Sequence, residues 1–212
     1  PIYIFIMKTY YLKTYLNKFS KILLEYNNND FLKIVQILKK IKKNKKKVII
    51  VGNGGSAAMA SHVSVDLTKM CNIRAINFNE ADLLTCFSND YGYENWVKRA
   101  LASYADRGDL LICISSSGES KNIINGANFA KKIGCKVITL SGFDRKNKVR
   151  KIGNVNLWLN SKNCRLYCKS KVLTEIETNT FKVKTKLSII LKLFIITQIT
   201  NLGNNKLNNQ KL

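Results

Sequence analysis

Apolar residues recur at three- and four-residue intervals through the first part of the chain, the period of helices that bury one face. Leu12, Leu16, Phe19, Leu23 and Leu24 mark one such helix within 8–26, and Phe31, Ile34, Val35, Leu38 and Ile41 mark a second. Asn27 to Asp30 separate them, with Asp30 placed to act as an N-cap. From Val48 onward the pattern changes to unbroken apolar runs. Val48 to Val51, Ile73 to Phe78, Leu110 to Ile114, Cys135 to Leu140 and Val155 to Leu159 read as short buried strands. Helical stretches lie between them, from Ser56, over Glu80 to Phe87, over Glu94 to Tyr104 and over Ile123 to Lys132. Strands alternating with helices at this spacing predict a parallel sheet covered on both faces, with ligands outside the carboxyl ends of its strands. Beyond Asn160 the pattern weakens. Leu187 to Ile199 reads as a buried helix interrupted by Lys192, and Asn201 to Leu212 as a polar tail. The organisation expected is N-terminal helices over 1–47, an α/β core over 48–160, an atypical helical segment over 161–200 and a tail over 201–212.

Composition supports one core and changes little else: 212 residues with 46% hydrophobic content are those of a globular protein. The formal charge of +23 invites a nucleic-acid reading. Its distribution argues against one, because residues 1–47 hold 12 Lys and two acids, residues 149–212 hold 12 Lys or Arg and two acids, and the middle is nearly balanced. No base-stacking aromatics or reader motif accompany the lysines, so no nucleic-acid partner is expected, and Leu187 to Ile199 is too short to span a membrane, so no membrane partner is expected either. Lys42 to Lys47 reads as the basic end of a helix, where cations oppose the negative terminus. Six cysteines without a CxxC pair read as buried thiols in a reducing cytoplasm. Ile2 to Met7 lacks a secretory signature, and Met7 is a candidate initiator.

Two loops carry the candidate chemistry. The first follows Val51 as Gly52-Asn53-Gly54-Gly55-Ser56, a strand, a glycine turn and a helix start that gather unpaired backbone N–H groups and a positive helix end in one concave spot. Its spacing fits neither the dinucleotide fingerprint nor the Walker pattern, so no nucleotide cofactor is expected. The second follows Ile114 as Ser115-Ser116-Ser117-Gly118-Glu119-Ser120, four hydroxyls and a helix start suited to phosphate oxygens. A serine-rich turn taken singly is more often a solvated cap. Ser88 to Gly92 reads as a polar corner, and His62 and Asp66 stand four residues apart, on one face of a helix.

Taken together, Gly52 to Ser56, Ser61-His62 with Asp66-Leu67-Thr68, Asn89-Asp90-Tyr91-Gly92 and Ser115 to Ser120 make the chain resemble the sugar isomerase (SIS) fold, and within it the phosphoheptose isomerases. The resemblance covers roughly Asn44 to Asn160. It implies a three-layer, flavodoxin-like α/β sandwich around a five-stranded parallel sheet preceded by helices, usually a homotetramer with sites at subunit interfaces. It implies cytoplasmic interconversion of sedoheptulose 7-phosphate and a mannoheptose 7-phosphate for surface polysaccharides, by proton transfer through an enediol. Carried over residue by residue, it puts the sugar phosphate on Asn53, Gly54, Gly55, Ser56, Asn89 and Asp90 and its phosphate on Ser115, Ser116, Ser117 and Ser120. It makes His62 and Asp66 both acid/base residues and half of a zinc site, with Asp66 where the family has Glu. The family completes that site from a C-terminal helix bearing a Gln or Glu and a His, whereas His62 is the sole histidine here. A reading frame shifted near residue 163 accounts for the unpatterned, acid-poor tail. A phosphosugar-sensing module that regulates a partner without turnover is the alternative reading.

Overall fold

The computed structural model describes residues 28–159 together with Asn17. Apart from Asn17, the helix expected over 8–26 lies outside the described residues, as do the tail beyond Asn160 and the proposed frame shift. In chain order the elements are α1 (Asn28–Lys43), β1 (Val48–Gly52), α2 (Gly55–Cys71), β2 (Ala75–Asn77), α3 (Ala81–Tyr91) and α4 (Trp96–Tyr104). Then come β3 (Leu110–Ser115), α5 (Lys121–Lys132), β4 (Lys136–Ser141), α6 (Lys148–Ile152) and β5 (Val155–Trp158).

The five strands form one wholly parallel sheet in the order β2-β1-β3-β4-β5. Every residue of β1 and β3 is buried, which is why both read as continuous apolar runs rather than alternating ones. Successive side chains nevertheless serve opposite faces. Val48 and Ile50 of β1 with Leu110, Ile112 and Ile114 of β3 pack against Ile34 and Leu38 of α1 and Met59, Val63 and Leu67 of α2. On the other face Ile49, Val51, Leu111, Cys113 and Val137 meet Trp96, Val97 and Leu101 of α4, Ile123 and Ala127 of α5 and Val149 of α6. The result is the expected sandwich of helices, sheet and helices.

The departures from the sequence reading are local and have physical causes. Asp30 lies in the first turn of α1 rather than at its cap, still on the side where a carboxylate meets the positive helix end. β2, on the sheet edge, shrinks to three half-buried residues. The polar corner over Ser88 to Gly92 is largely helix. α3 runs on through Asn89 and Asp90 to Tyr91, and Gly92, at φ +80°, closes it by donating its N–H to Ser88 O at 3.0 Å. α4 begins at Trp96, after Asn95, whose Nδ2 donates to Tyr91 O at 3.0 Å. The five residues of α6 carry too short a pattern to be anticipated. The side chain of Asn147 caps this helix, accepting from the Arg150 N–H at 3.0 Å.

Burial of cysteines holds for Cys71, Cys113 and Cys135 and fails for Cys86, which is exposed on α3. Desolvation pushes the Cys113 thiol up to about 12, so it stays protonated and inert. The basic end of α1 is as expected, with Lys40, Lys42 and Lys43 in its last turn. Lys42 Nζ also donates to Cys71 O at 2.7 Å at the C-terminal end of α2, so the cation serves two negative helix ends.

Candidate functional site

The two candidate loops face each other across the carboxyl ends of β1 and β3. Gly52 ends β1 where a Cβ would sit 2.7 Å from the backbone of Ser56, so only glycine lets α2 start this close to the strand. Gly54 takes φ 54°, ψ −124°, a backbone region that side chains rarely enter. Within the turn, Ser56 N–H donates to Asn53 O and Ala57 N–H to Gly54 O, so the first donors of α2 are partly spent on the turn itself.

At α5 the situation is different. Its first backbone bond is Ile124 N–H to Ser120 O, which leaves the N–H groups of Lys121, Asn122 and Ile123 without acceptors inside the helix. Ser120 stands at the N-cap and its side chain makes no capping bond. Between the loops lies a cavity of about 210 Å³ lined by Asn53, Ser56, Ile114, Ser115, Ser116, Ser117, Ser120 and Phe143. Two of these serines are not the solvated caps that a serine-rich turn alone suggests, whereas Ser117 and Ser120 remain partly exposed. Ser115 and Ser116 are buried, and Ser116 Oγ is shut away from water with no hydrogen-bond partner. A buried hydroxyl without a partner costs about 1–3 kcal/mol, a penalty that would be relieved by turning the Ser116 side chain to present its oxygen to the cavity.

The serine loop is braced by a residue that the sequence reading passed over. Asn147, 1% exposed, donates from Nδ2 to Ser141 Oγ at 3.1 Å and to Asp144 O at 2.7 Å while capping α6 through Oδ1. Gly142 N–H donates to Ser116 O and Val149 N–H to Gly118 O, each at 3.0 Å, stitching the loop after β4 to the loop after β3. Glu119 accepts from the Lys148 N–H at 2.9 Å and meets the Lys148 ammonium at 3.0 Å. Those two hydrogen bonds hold its carboxyl below the usual carboxylate range.

The structure does not bring all the candidate residues together. Asn53, Ser56 and the four serines share the cavity, whereas Gly54 and Gly55 shape the turn without lining it. Asn89 and Asp90 sit exposed in the last turn of α3, where Asn89 Nδ2 donates to Asp90 Oδ1 at 3.0 Å. Cys86 Sγ, 3.6 Å from Asp90 Oδ2, has its thiol pushed up chiefly by the Asp90 charge. The end of α3 is tied to the glycine turn through Tyr93, whose hydroxyl donates to Asn53 Oδ1 at 3.2 Å.

His62 and Asp66 lie on α2 with Nε2 and Oδ2 3.4 Å apart, as four-residue spacing requires. Neither lines the cavity. Six residues of helix carry His62 about 9 Å along the axis and about 240° around it from Ser56, toward another side of α2. Among the described residues no group of three or more histidines, cysteines or carboxylates could hold a metal ion. The pair therefore offers at most two ligands where a tetrahedral zinc site takes four. Also among the described residues, no helix is long and apolar enough to cross a membrane.

Comparison with known proteins agrees with this architecture. A family model described as SIS domain matches residues 11–142. A phosphoheptose isomerase from Aliarcobacter butzleri is 39% identical over 121 residues, covering 54% of this chain and 64% of that relative. One from a Nitratiruptor species is 43% identical over 108 residues, covering 48% and 58%. The chain thus spans less than two thirds of the length of these relatives. Among solved structures, a phosphoheptose isomerase from Francisella tularensis superimposes with a TM-score of 0.68 at 21% identity, over 91% of this chain and 97% of that one. One from Neisseria gonorrhoeae gives 0.63 at 22% identity, over 91% and 99%. With its strand order, its two loops facing each other at the carboxyl ends of β1 and β3 and a family match over more than half of its length, the chain belongs to the SIS domain family.

Proposed function

We propose that this chain is an aldose–ketose isomerase of sugar phosphates acting on sedoheptulose 7-phosphate. The observation that carries the reading is the cavity in which Asn53 and Ser56 face Ser115, Ser116, Ser117 and Ser120, with Ser116 Oγ buried and unpartnered. The names of the relatives, phosphoheptose isomerases, supply the substrate class, and the family resemblance supplies the particular sugar.

In this reading the serine hydroxyls and the free N–H groups at the start of α5 hold the phosphate, where the positive helix end favours charge. The sugar then extends past Asn53 toward Asn89 and Asp90. Proton transfer between its first two carbons needs an acid/base group at the carbon-bound hydrogen and a donor at the developing enolate oxygen. His62 and Asp66 take the acid/base role, and the pair stands on α2 away from the cavity of its own chain, with His62 54% exposed. We therefore place them in the site of a neighbouring copy in a cytoplasmic homo-oligomer. Zinc enters only as a two-ligand candidate on this pair, and metal analysis that finds none in an active preparation removes it.

The test is an isomerisation assay with sedoheptulose 7-phosphate alongside calorimetric binding of the same sugar. Turnover is expected, as is a loss of about 10-fold or more in affinity on Ser116→Ala, the size of a lost charge-assisted bond. Binding without turnover overturns the enzyme reading in favour of a sensing module. The shared site has its own check. His62→Ala and Ser116→Ala chains, each impaired alone at limiting substrate, should when unfolded and refolded together exceed the mean of their separate activities. Mixed oligomers that form and do not exceed that mean defeat that arrangement.

A further inference from the structure

We propose that Asn122, assisted by Tyr93, is a positioning residue that fixes the side-chain amide of Asn53 so that it presents a donor, and no acceptor, to the ligand; this rests on the phosphosugar reading of the cavity. Asn122 lies in the first turn of α5 and is 2% exposed. Its Nδ2 donates to Asn53 Oδ1 at 2.8 Å, and Asn53 Nδ2 donates back to Asn122 Oδ1 at 3.0 Å. Tyr93 Oη donates to the same Asn53 Oδ1 at 3.2 Å.

An amide side chain has two acceptor positions on its oxygen and two N–H donors. Asn122 and Tyr93 occupy both acceptor positions of Asn53, and Asn122 takes one of its donors. One N–H remains, on a residue that lines the cavity. Asn53 is therefore committed to ligand oxygens that accept on the sugar side of the serine loop, such as a sugar carbonyl or an enolate oxygen. Without Asn122 the terminal torsion of Asn53 has two similar orientations that exchange oxygen for nitrogen, and the donor is lost in one of them. The pair also joins the turn after β1 to the helix that starts at the serine loop, across 69 positions of sequence. Placement of the Asn53 donor is thereby coupled to the phosphate loop.

The experiment uses the full chain with Asn53→Ala, Asn122→Ala, the double variant and Tyr93→Phe. Affinity for sedoheptulose 7-phosphate and for inorganic phosphate is measured by calorimetry, with kcat and KM where turnover is present. Asn122→Ala should weaken the sugar phosphate about 10-fold in the native background and add nothing in the Asn53→Ala background. Inorganic phosphate, held by the serine loop, should change by less than about twofold in Asn122→Ala, which a general disturbance of the fold would not spare. Additive losses, or equal losses for both ligands, overturn the inference. Should Asn122→Ala fail to fold, the cycle of Tyr93→Phe, at a half-exposed residue, with Asn53→Ala decides on the same criterion of additivity. A native chain that binds no sugar phosphate overturns the proposed function and this inference with it. A native chain that binds normally while the cycle is additive overturns the inference alone.

Discussion

A Gly118→Ala chain is expected to lose phosphosugar binding by about 10-fold or more and about 2–4 kcal/mol of stability, the sum of a left-handed backbone cost and overpacking. Gly118 holds φ +66°, and a Cβ there would lie 2.0 Å from Asn147 Oδ1 and 2.7 Å from Asn147 Cβ. Asn147 has no room to give. It is buried and bonded on both ends of its amide, to Ser141, Asp144 and Arg150. The serine loop must move instead, although Gly118 N–H donates to Ser115 O at 3.1 Å and to Ser115 Oγ at 3.2 Å. Gly108→Ala provides the comparison. Its φ is +90°, but its Cβ would meet only the flexible Lys46 Cε at 3.3 Å, far in the fold from the cavity. That variant should cost about 1–2 kcal/mol and leave binding unchanged. Denaturant unfolding and calorimetry measure both effects, and equal binding by the two variants would show that the Gly118 contact does not hold the phosphate loop.

Asp109→Ala is expected to have the largest effect on stability, about 3–5 kcal/mol, the scale for breaking a buried ion pair. Asp109 is 1% exposed at the start of β3. Its Oδ1 accepts from the Lys47 N–H at 3.0 Å, its Oδ2 accepts from the Asp106 N–H at 2.9 Å, and the Lys47 ammonium lies 2.7 Å from Oδ2. The carboxylate thus clamps the amino ends of β1 and β3, and alanine leaves three donors without it. Against a total of about 5–15 kcal/mol, this is enough to unfold a marginal domain. Chemical denaturation measures it, and a loss below about 1 kcal/mol contradicts the clamp.

The same cluster sets a pH window. Burial pulls the Lys47 ammonium down, but its hydrogen bonds to Asp106 and Asp109 and their charges outweigh this, and its pKa ends above the ordinary value. A cation raised on folding stabilises fully below its unfolded pKa, about 10.4, and loses that contribution as pH rises through the folded value. Asp106 is shifted the other way, chiefly by its hydrogen bond to Lys47. Its contribution is present above the unfolded carboxylate value and is lost as pH falls through the depressed one. Stability should be level near neutrality and decline in strong base. A native chain whose alkaline decline matches that of Lys47→Met would remove Lys47 as its cause.

The sequence alone determined the α/β class, the five strands and the two loops. Buried parallel strands are continuous apolar runs, and glycine or serine at a strand's carboxyl end marks a turn. These are local properties, readable within a few residues. What only the tertiary structure decided is pairwise and distant. Nothing in the spacing of Asn53, Tyr93 and Asn122 announces that their side chains meet, because an amide is equally at home in a turn or a helix start, exposed to water. The same holds for Asn147, which nothing in the local pattern singles out and which proves to be the buried brace of the serine loop. The pattern put His62 and Asp66 on one face of a helix, and the fold turned that face away from the cavity of its own chain. Helical period fixes which residues share a face, while packing against the sheet alone decides where that face points.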